Sequence, residues 1–316
     1  MERHQIEYPP VECSDLALRN ELASIIDQGA IDSLFQPIFD LRNNSIFAYE
    51  ALSRGPKKSP LFMPDIMFDT ARHHHMTAEL DHICRRKAVE NFVAQDLPGK
   101  LSLNICPSSL ADPEFRNGQT LRVLEEAGLS SERVILELTE HKQADISKLK
   151  EAVKYYRDMG FSLALDDLGA GYSNLRLLAE LKPDYLKLDK FFISGVTPDR
   201  VEAEFVKLIV DLAERVSCRV VAEGIETADE LLFAHSHNIA FGQGYLLGKP
   251  RSKANINLPA ILMEMSYCTA GESTAQPAHD NQTLILGDRE RIKSLRLHPT
   301  VAELMPWILD DLAPLE

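Results

Sequence analysis

Seven residues bring charge or an amide to the ends of short apolar runs: Glu50 in SIFAYEALS, Asn104 in KLSLNI, Glu137 in RVILELTE, Asp166 and Asp167 in FSLALDD, Lys187 in DYLKLD and Glu223 in CRVVAEG. Along an extended chain alternate side chains face opposite sides. In RVILELTE, Val134, Leu136 and Leu138 therefore share one face and Glu137 takes the other; in KLSLNI, Leu101, Leu103 and Ile105 oppose Ser102 and Asn104; in DYLKLD, Leu186 and Leu188 oppose Lys187 and Asp189. If these runs are parallel strands of a barrel, the seven polar residues meet at the carboxyl-end mouth, where barrel enzymes build their sites. Crowded carboxylates repel one another and are expensive to desolvate, so the set requires cations. Oxygen donors without His or Cys at the matching strand ends select Mg2+ or Mn2+ over Zn2+. So many acids suit a two-metal site, in which paired cations activate water and stabilise the leaving oxygen of a phosphodiester. Beside divalent cations the Lys187 ammonium is disfavoured, which lowers its pKa and fits it to accept a proton from the attacking water or to orient that water. Any single acid could instead cap the following helix, but capping does not account for all seven.

The elements that must position these residues follow from periodicity. LFQPIFD (34–40) and SIFAYEALS (45–53) read as two strands joined by a tight turn at Asn43-Asn44. Further strands are expected at 100–105, 133–140, 161–167, 184–189, 218–224 and 239–245, with helices at 15–29, 63–95 (interrupted near His73-His74-His75), 118–128, 144–159, 172–181, 200–216 and 227–236. From the third strand onward strand and helix alternate, which implies parallel strands with crossover helices. The recurrence, roughly every 20–36 residues, favours an α/β fold of TIM-like (β/α)8 type over an open doubly wound sheet. No G-x-G-x-x-G or P-loop follows the first strand. Residues 1–14 form a polar leader, 15–255 the barrel, and 256–316 a C-terminal helix, a turn-rich linker and an extension containing Trp307, which either packs on the barrel or begins a regulatory module.

The chain has 316 residues with 34 basic and 48 acidic side chains, a net charge of −14. That charge excludes coating of a nucleic acid polymer or an anionic membrane, and 45% apolar content excludes disorder. Five scattered cysteines with no C-x-x-C pair indicate reduced thiols. With no apolar leader and no membrane-length apolar stretch, the expected location is the cytoplasm. His73-His74-His75 has consecutive rather than i, i+4 spacing and reads as a solvated helix end; Gly169 and Gly171 read as turn residues.

At the same residues the sequence resembles the EAL family of cyclic di-GMP phosphodiesterases. The resemblance rests on eight motifs in order across about residues 30–252: FQPIFD, YEALSR, LSLNICPSSL, LELTE, LALDDLGAGYSNL, DYLKLD, VVAEGIET and GQGYLLGKP. It implies a barrel whose first two strands depart from parallel order. It implies that Glu50, Asn104, Glu137 and Asp166 ligate a first metal, with Asp167 shared by or devoted to a second, and that Lys187 and Glu223 hold or deprotonate the attacking water, Glu223 also touching a metal. Gln36, Leu52, Arg54, Gln243 and Pro250 would contact the substrate; Glu140 would anchor the loop Asp167 to Asn174, which the family uses to link metal occupancy to dimerisation, and Glu226 would support its own loop. The expected reaction is hydrolysis of cyclic di-GMP to linear pGpG with Mg2+ or Mn2+, inhibited by Ca2+, in a homodimer formed near the Asp167–Asn174 loop. Leu168, Ala170 and Asn174 depart from the family's usual residues in that loop without removing a ligand. The alternative is a domain that only senses cyclic di-GMP; loss at Glu50, Asp166, Asp167 or Lys187 would mark it, and all four are present. An enolising metal barrel is a third class, which the ordered motifs oppose.

Overall fold

The inward face of each strand after the first carries an apolar or small residue, and two positions later a polar one; this repeat gives the barrel its two ends. The computed structural model describes residues 15–106, 118–138, 146–168, 174–195 and 201–263, apart from the side chains at 167–168 and 174–176. Eight strands close into a barrel in chain order: β1 (Asp32–Asp40), β2 (Ser45–Arg54), β3 (Lys100–Ile105), β4 (Val134–Leu138), β5 (Ser162–Leu168), β6 (Tyr185–Leu188), β7 (Arg219–Ala222) and β8 (Phe241–Gly242). β1 runs antiparallel to both its neighbours, β2 and β8, while the other pairings are parallel. The irregular first pair expected from the sequence is thus one reversed strand, joined to β2 by a turn in which Asn44 takes a left-handed φ of 54°.

The outward faces of the parallel strands, including Leu101, Leu103, Val134, Leu136, Leu186 and Leu188, pack in one large core with the surrounding helices. Inside, Ile38, Ala48, Ile135, Ala164, Tyr185, Val221 and Phe241 form a separate apolar plug. Two residues beyond these plug positions stand Glu50, Glu137, Asp166, Lys187, Glu223 and Gln243, and in β3 Asn104 follows the inward Ser102. In the reversed strand the sign inverts, and Gln36 precedes Ile38. The period of two therefore stacks a polar layer directly on the plug.

The helices α1 (Asp15–Gln28), α2 (Pro64–His73), α3 (Thr77–Ala94), α4 (Gln119–Ala127), α5 (Ile146–Asp158), α6 (Asn174–Leu181), α7 (Lys190–Ile193), α8 (Val201–Arg215) and α9 (Ala228–Ser236) account for the segments expected from periodicity and add one short helix, α7. Asp189, grouped by parity with Lys187, lies just past β6, and its carboxylate caps α7 by accepting from the Phe191 N–H at 2.7 Å. The expected strand at 239–245 contributes only Phe241–Gly242 to the ladder, because beyond them the chain wraps Ile225: the Gln243 carbonyl accepts from the Ile225 N–H and the Leu246 N–H donates to the Ile225 carbonyl. A satellite core of Leu22, Ile25, Met67, Ala71, Leu80 and Ile83 joins α1, α2 and α3. Cys84, Cys106 and Cys218 are buried free thiols; burial pushes those of Cys84 and Cys218 up to about 12, where they are inert at neutral pH. No described helix is long and apolar enough to cross a membrane. The C-terminal extension, from 264 onward, and the leader lie outside the described residues.

Candidate active site

The polar layer is organised around one ammonium. Lys187 Nζ, 2% exposed, stands 2.7 Å from Glu223 Oε1, 2.9 Å from Glu137 Oε2, 3.2 Å from Asp166 Oδ1 and 3.4 Å from Glu50 Oε2. β6 places Lys187 opposite the acids of its neighbours because Leu186 and Leu188 fix the outward parity. Glu50 is held on three sides, accepting from Asn104 Nδ2 at 2.9 Å, from Gln243 Nε2 at 2.8 Å and from Lys187. Glu137 accepts from the Ser102 hydroxyl on the adjacent strand as well as from Lys187. Ser102 shares the inward face of β3 with Asn104, so parity was the signal that could have marked it as part of the site.

Four carboxylates against one ammonium leave a large negative excess, and the ionisations reflect it. Burial alone would raise the Glu50 carboxyl, but the Lys187 charge and the donated hydrogen bonds hold it below its ordinary range. Burial, reinforced by the charges of Glu50 and Asp166, pushes Glu137 well above the ordinary carboxylate range despite Lys187. Burial likewise lifts Glu223 to about 8, with Asp166 and Glu50 adding to the effect and Lys187 opposing it. Burial disfavours the charged form of Lys187, yet the surrounding carboxylates overcome it and keep the ammonium charged well beyond neutral pH. The lowered Lys187 pKa expected from the sequence is not found: among the described residues the ammonium faces four carboxylates and serves as their counterion. The donor set fits hard cations: among the described residues the carboxylates of Glu50, Glu137, Asp166 and Glu223 converge beside the Asn104 amide, and one ammonium lies within ion-pair distance of all four. A further acceptor, the buried Oε1 of Gln243, has no hydrogen-bond partner.

Of the residues expected to contact substrate, Gln36 lies beside Glu50 in the β1–β2 register and donates to the Gly248 carbonyl at 3.1 Å. Leu52 and Arg54 continue the Glu50 face of β2 towards the rim, paired with Leu34 and Asp32 of β1. Pro250 lines an open cleft of about 570 Å³ with Leu34, Arg251 and Lys253. Glu226 pairs with Lys190 Nζ at 2.6 Å, while its backbone N–H donates to Glu230 at 2.7 Å. Glu230, a residue the sequence reading left out, completes a capping box with Thr227 and also accepts from the Gly195 N–H at 3.2 Å, tying the segment after β7 to the one after β6. Its signal was the T-x-x-E spacing before an apolar run. Glu140, the loop from Gly169 to Ser173 and the side chain of Asp167 lie outside the described residues.

Comparison with known proteins gives the same family throughout. A model of the EAL domain matches residues 18–250. The cyclic di-GMP phosphodiesterase NbdA of Pseudomonas aeruginosa is 30% identical over 242 residues, 75% of this chain and 31% of NbdA. The probable cyclic di-GMP phosphodiesterase PdeB of Escherichia coli is 29% identical over 74% of this chain and 45% of its own length. The chain thus spans less than half of these relatives. Among solved structures, a standalone EAL protein from Vibrio cholerae bound to c-di-GMP superposes with a TM-score of 0.64 at 30% identity, covering 70% of this chain and 92% of that one. Klebsiella pneumoniae BlrP1, solved with manganese and cyclic di-GMP, gives 0.64 at 29% identity over 70% of this chain and 56% of that chain.

Proposed function

The chain belongs to the EAL-domain family, and from that premise we propose that it is a divalent-metal phosphodiesterase that opens cyclic di-GMP to linear pGpG. The observation that carries the reading is the convergence of Glu50, Glu137, Asp166 and Glu223 on Lys187 at the mouth of the barrel, with Asn104 bonded to Glu50. Glu50, Asn104, Glu137, Asp166 and Glu223, with Asp167 beside them in sequence, would hold the metals. When bound, Mg2+ or Mn2+ supplies positive charge for a phosphate and acidifies water; Ca2+, with its looser coordination, should inhibit. The relatives' complexes with manganese and with cyclic di-GMP support that choice of ion and substrate.

The chain's own groups divide the remaining work. Asn104 and Gln243 fix both oxygens of Glu50, so its orientation does not depend on the substrate. Glu223, more exposed than Glu50, Glu137 and Asp166, is placed to accept the proton of the attacking water, and Lys187 to hold that water beside it. Water adds to phosphorus, the bond to the 3′ oxygen breaks, and that oxygen leaves protonated, which gives a 5′-phosphorylated linear dinucleotide. Arg54 at the rim suits the second phosphate, and Gln36, Leu52, Gln243 and Pro250 flank the space for the guanosines. Dimerisation through the loop after Asp167, with Glu140 and Glu226 as loop supports, and a cytoplasmic location complete the proposal.

The test is the full chain with cyclic di-GMP and Mg2+, products separated by chromatography. pGpG should form with wild type and be lost with Glu50→Gln. Tight binding without pGpG above that control would replace the enzyme with a sensor.

A further inference from the structure

The histidine run dismissed on its spacing acquires a third group from another element. His73 ends α2 and His74 caps it, and both imidazoles turn towards Asp15, the first residue of α1. His73 Nε2 lies 3.5 Å and His74 Nε2 3.2 Å from the same oxygen, Asp15 Oδ1. The two rings meet edge to face with centroids 4.7 Å apart, and the three donor atoms all lie within 4.8 Å of one another. The consecutive spacing argues against two ligands on one helical face, but it does not apply here, because the helix ends between them: His74 has left α2 with φ −100° and ψ 10°.

We propose that Asp15, His73 and His74 bind one borderline transition-metal ion of the Zn2+ class, separate from the oxygen-lined mouth. Tetrahedral bonds of about 2.0–2.1 Å put neighbouring donor atoms roughly 3.3–3.4 Å apart. The two imidazole–carboxylate separations, 3.2 and 3.5 Å, already bracket that value. His74 supplies a further sign: its side chain is 11% exposed, and its buried Nε2, although 3.2 Å from the carboxylate, makes no hydrogen bond and so is left without a polar partner. The nearby Arg72 is turned aside to Asp69, which leaves the Asp15 charge to the imidazoles. Two imidazoles and one carboxylate select Zn2+, Co2+ or Ni2+ over the hard cations of the mouth, with water as the remaining ligand. The ion would clasp the start of α1 to the end of α2, over the satellite core of Leu22, Ile25, Met67 and Ala71.

The experiment uses the full chain, stripped with chelator, then kept in excess Mg2+ and titrated with Zn2+ by calorimetry. Wild type should take up one equivalent more than a variant carrying Asp15→Asn, His73→Gln and His74→Gln. His73 is 68% exposed, so His73→Gln alone tests the site without threatening the fold, and it should weaken that equivalent at least tenfold. In 1H–13C spectra the ring resonances of His73 and His74 should shift with the first equivalent. Equal stoichiometry and affinity in wild type and variants, or unmoved His73 and His74 resonances, would overturn the assignment.

Discussion

Replacing Lys187 by Met asks whether the ammonium is a structural counterion as well as the catalytic group proposed above. Methionine matches its length and tolerates burial, so the substitution removes charge with little change in shape. In the absence of divalent cations the variant leaves four carboxylates, previously 2.7–3.4 Å from a positive charge, facing one another in a buried layer. Removing one partner of a buried ion pair costs about 3–5 kcal/mol. Proton uptake by Glu137 and Glu223, both already displaced upward, recovers part of that, which leaves a net loss of about 3 kcal/mol. For a domain of this size each kcal/mol moves Tm by about 2–4 °C, so the variant should melt about 6–12 °C below wild type in chelator. Mg2+ or Mn2+ should raise its Tm by more than it raises that of wild type, since the cations then do alone what ion and lysine did together. Thermal unfolding followed by circular dichroism, with chelator and with each metal, reads both shifts. Equal melting of the two proteins in chelator would refute the counterion role, and with it the geometry from which the cation requirement was argued.

The other expectations concern the parts that hold this layer in place. Phe241→Ala empties the centre of the plug, where Phe241 is fully buried and stacked on Phe47 at 4.0 Å; a loss of about 3–5 kcal/mol in urea denaturation is expected. Gly244→Ala would set a Cβ 2.1 Å from the Ile225 carbonyl oxygen, so the backbone must shift, lowering stability by about 1–3 kcal/mol and weakening substrate binding through the adjoining Gln243; an unchanged urea midpoint would contradict this. Glu230→Gln should destabilise by about 1–2 kcal/mol at pH 7. Burial alone would raise Glu230, but the N–H groups of Glu226, Thr227 and Gly195 outweigh it and lower its pKa. Its stabilisation is therefore complete above the unfolded value near ~4.3 and is lost as pH falls through the lower folded value, so the gap between the proteins should close in acid. A gap that stays constant from neutral to acid pH would count against that carboxylate's role.

Much of this arrangement could be read from alternation alone. Leu136 and Leu138 on one side and Glu137 on the other leave a strand one way to bury its apolar face, and the same logic oriented Asn104, Lys187 and Glu223. Alternation says which face a residue takes but not how far up the barrel it stands, so Asp189 looked equivalent to Lys187 until the chain turned into α7. It also cannot supply pairs made across the sequence. Ser102 with Glu137, and the buried Arg85 with Thr120, depend on register and helix packing that no local pattern encodes. Asp15 with the histidines was invisible for the same reason: 58 residues separate Asp15 from His73, and only the packing of α1 on α2 brings them together.

The reversal of β1 has a consequence for wiring. In a regular barrel the chain enters at the closed end, so whatever is attached upstream sits far from the chemistry. Here β1 starts beside the rim, with Asp32 paired to Arg54, and α1 hands the chain to it through Gly29, Ala30 and Ile31. A push or twist on α1 is thus delivered at the doorway itself, two strand positions from Leu34 and four from Gln36. The reversal sets the segment that leads into the barrel next to its mouth.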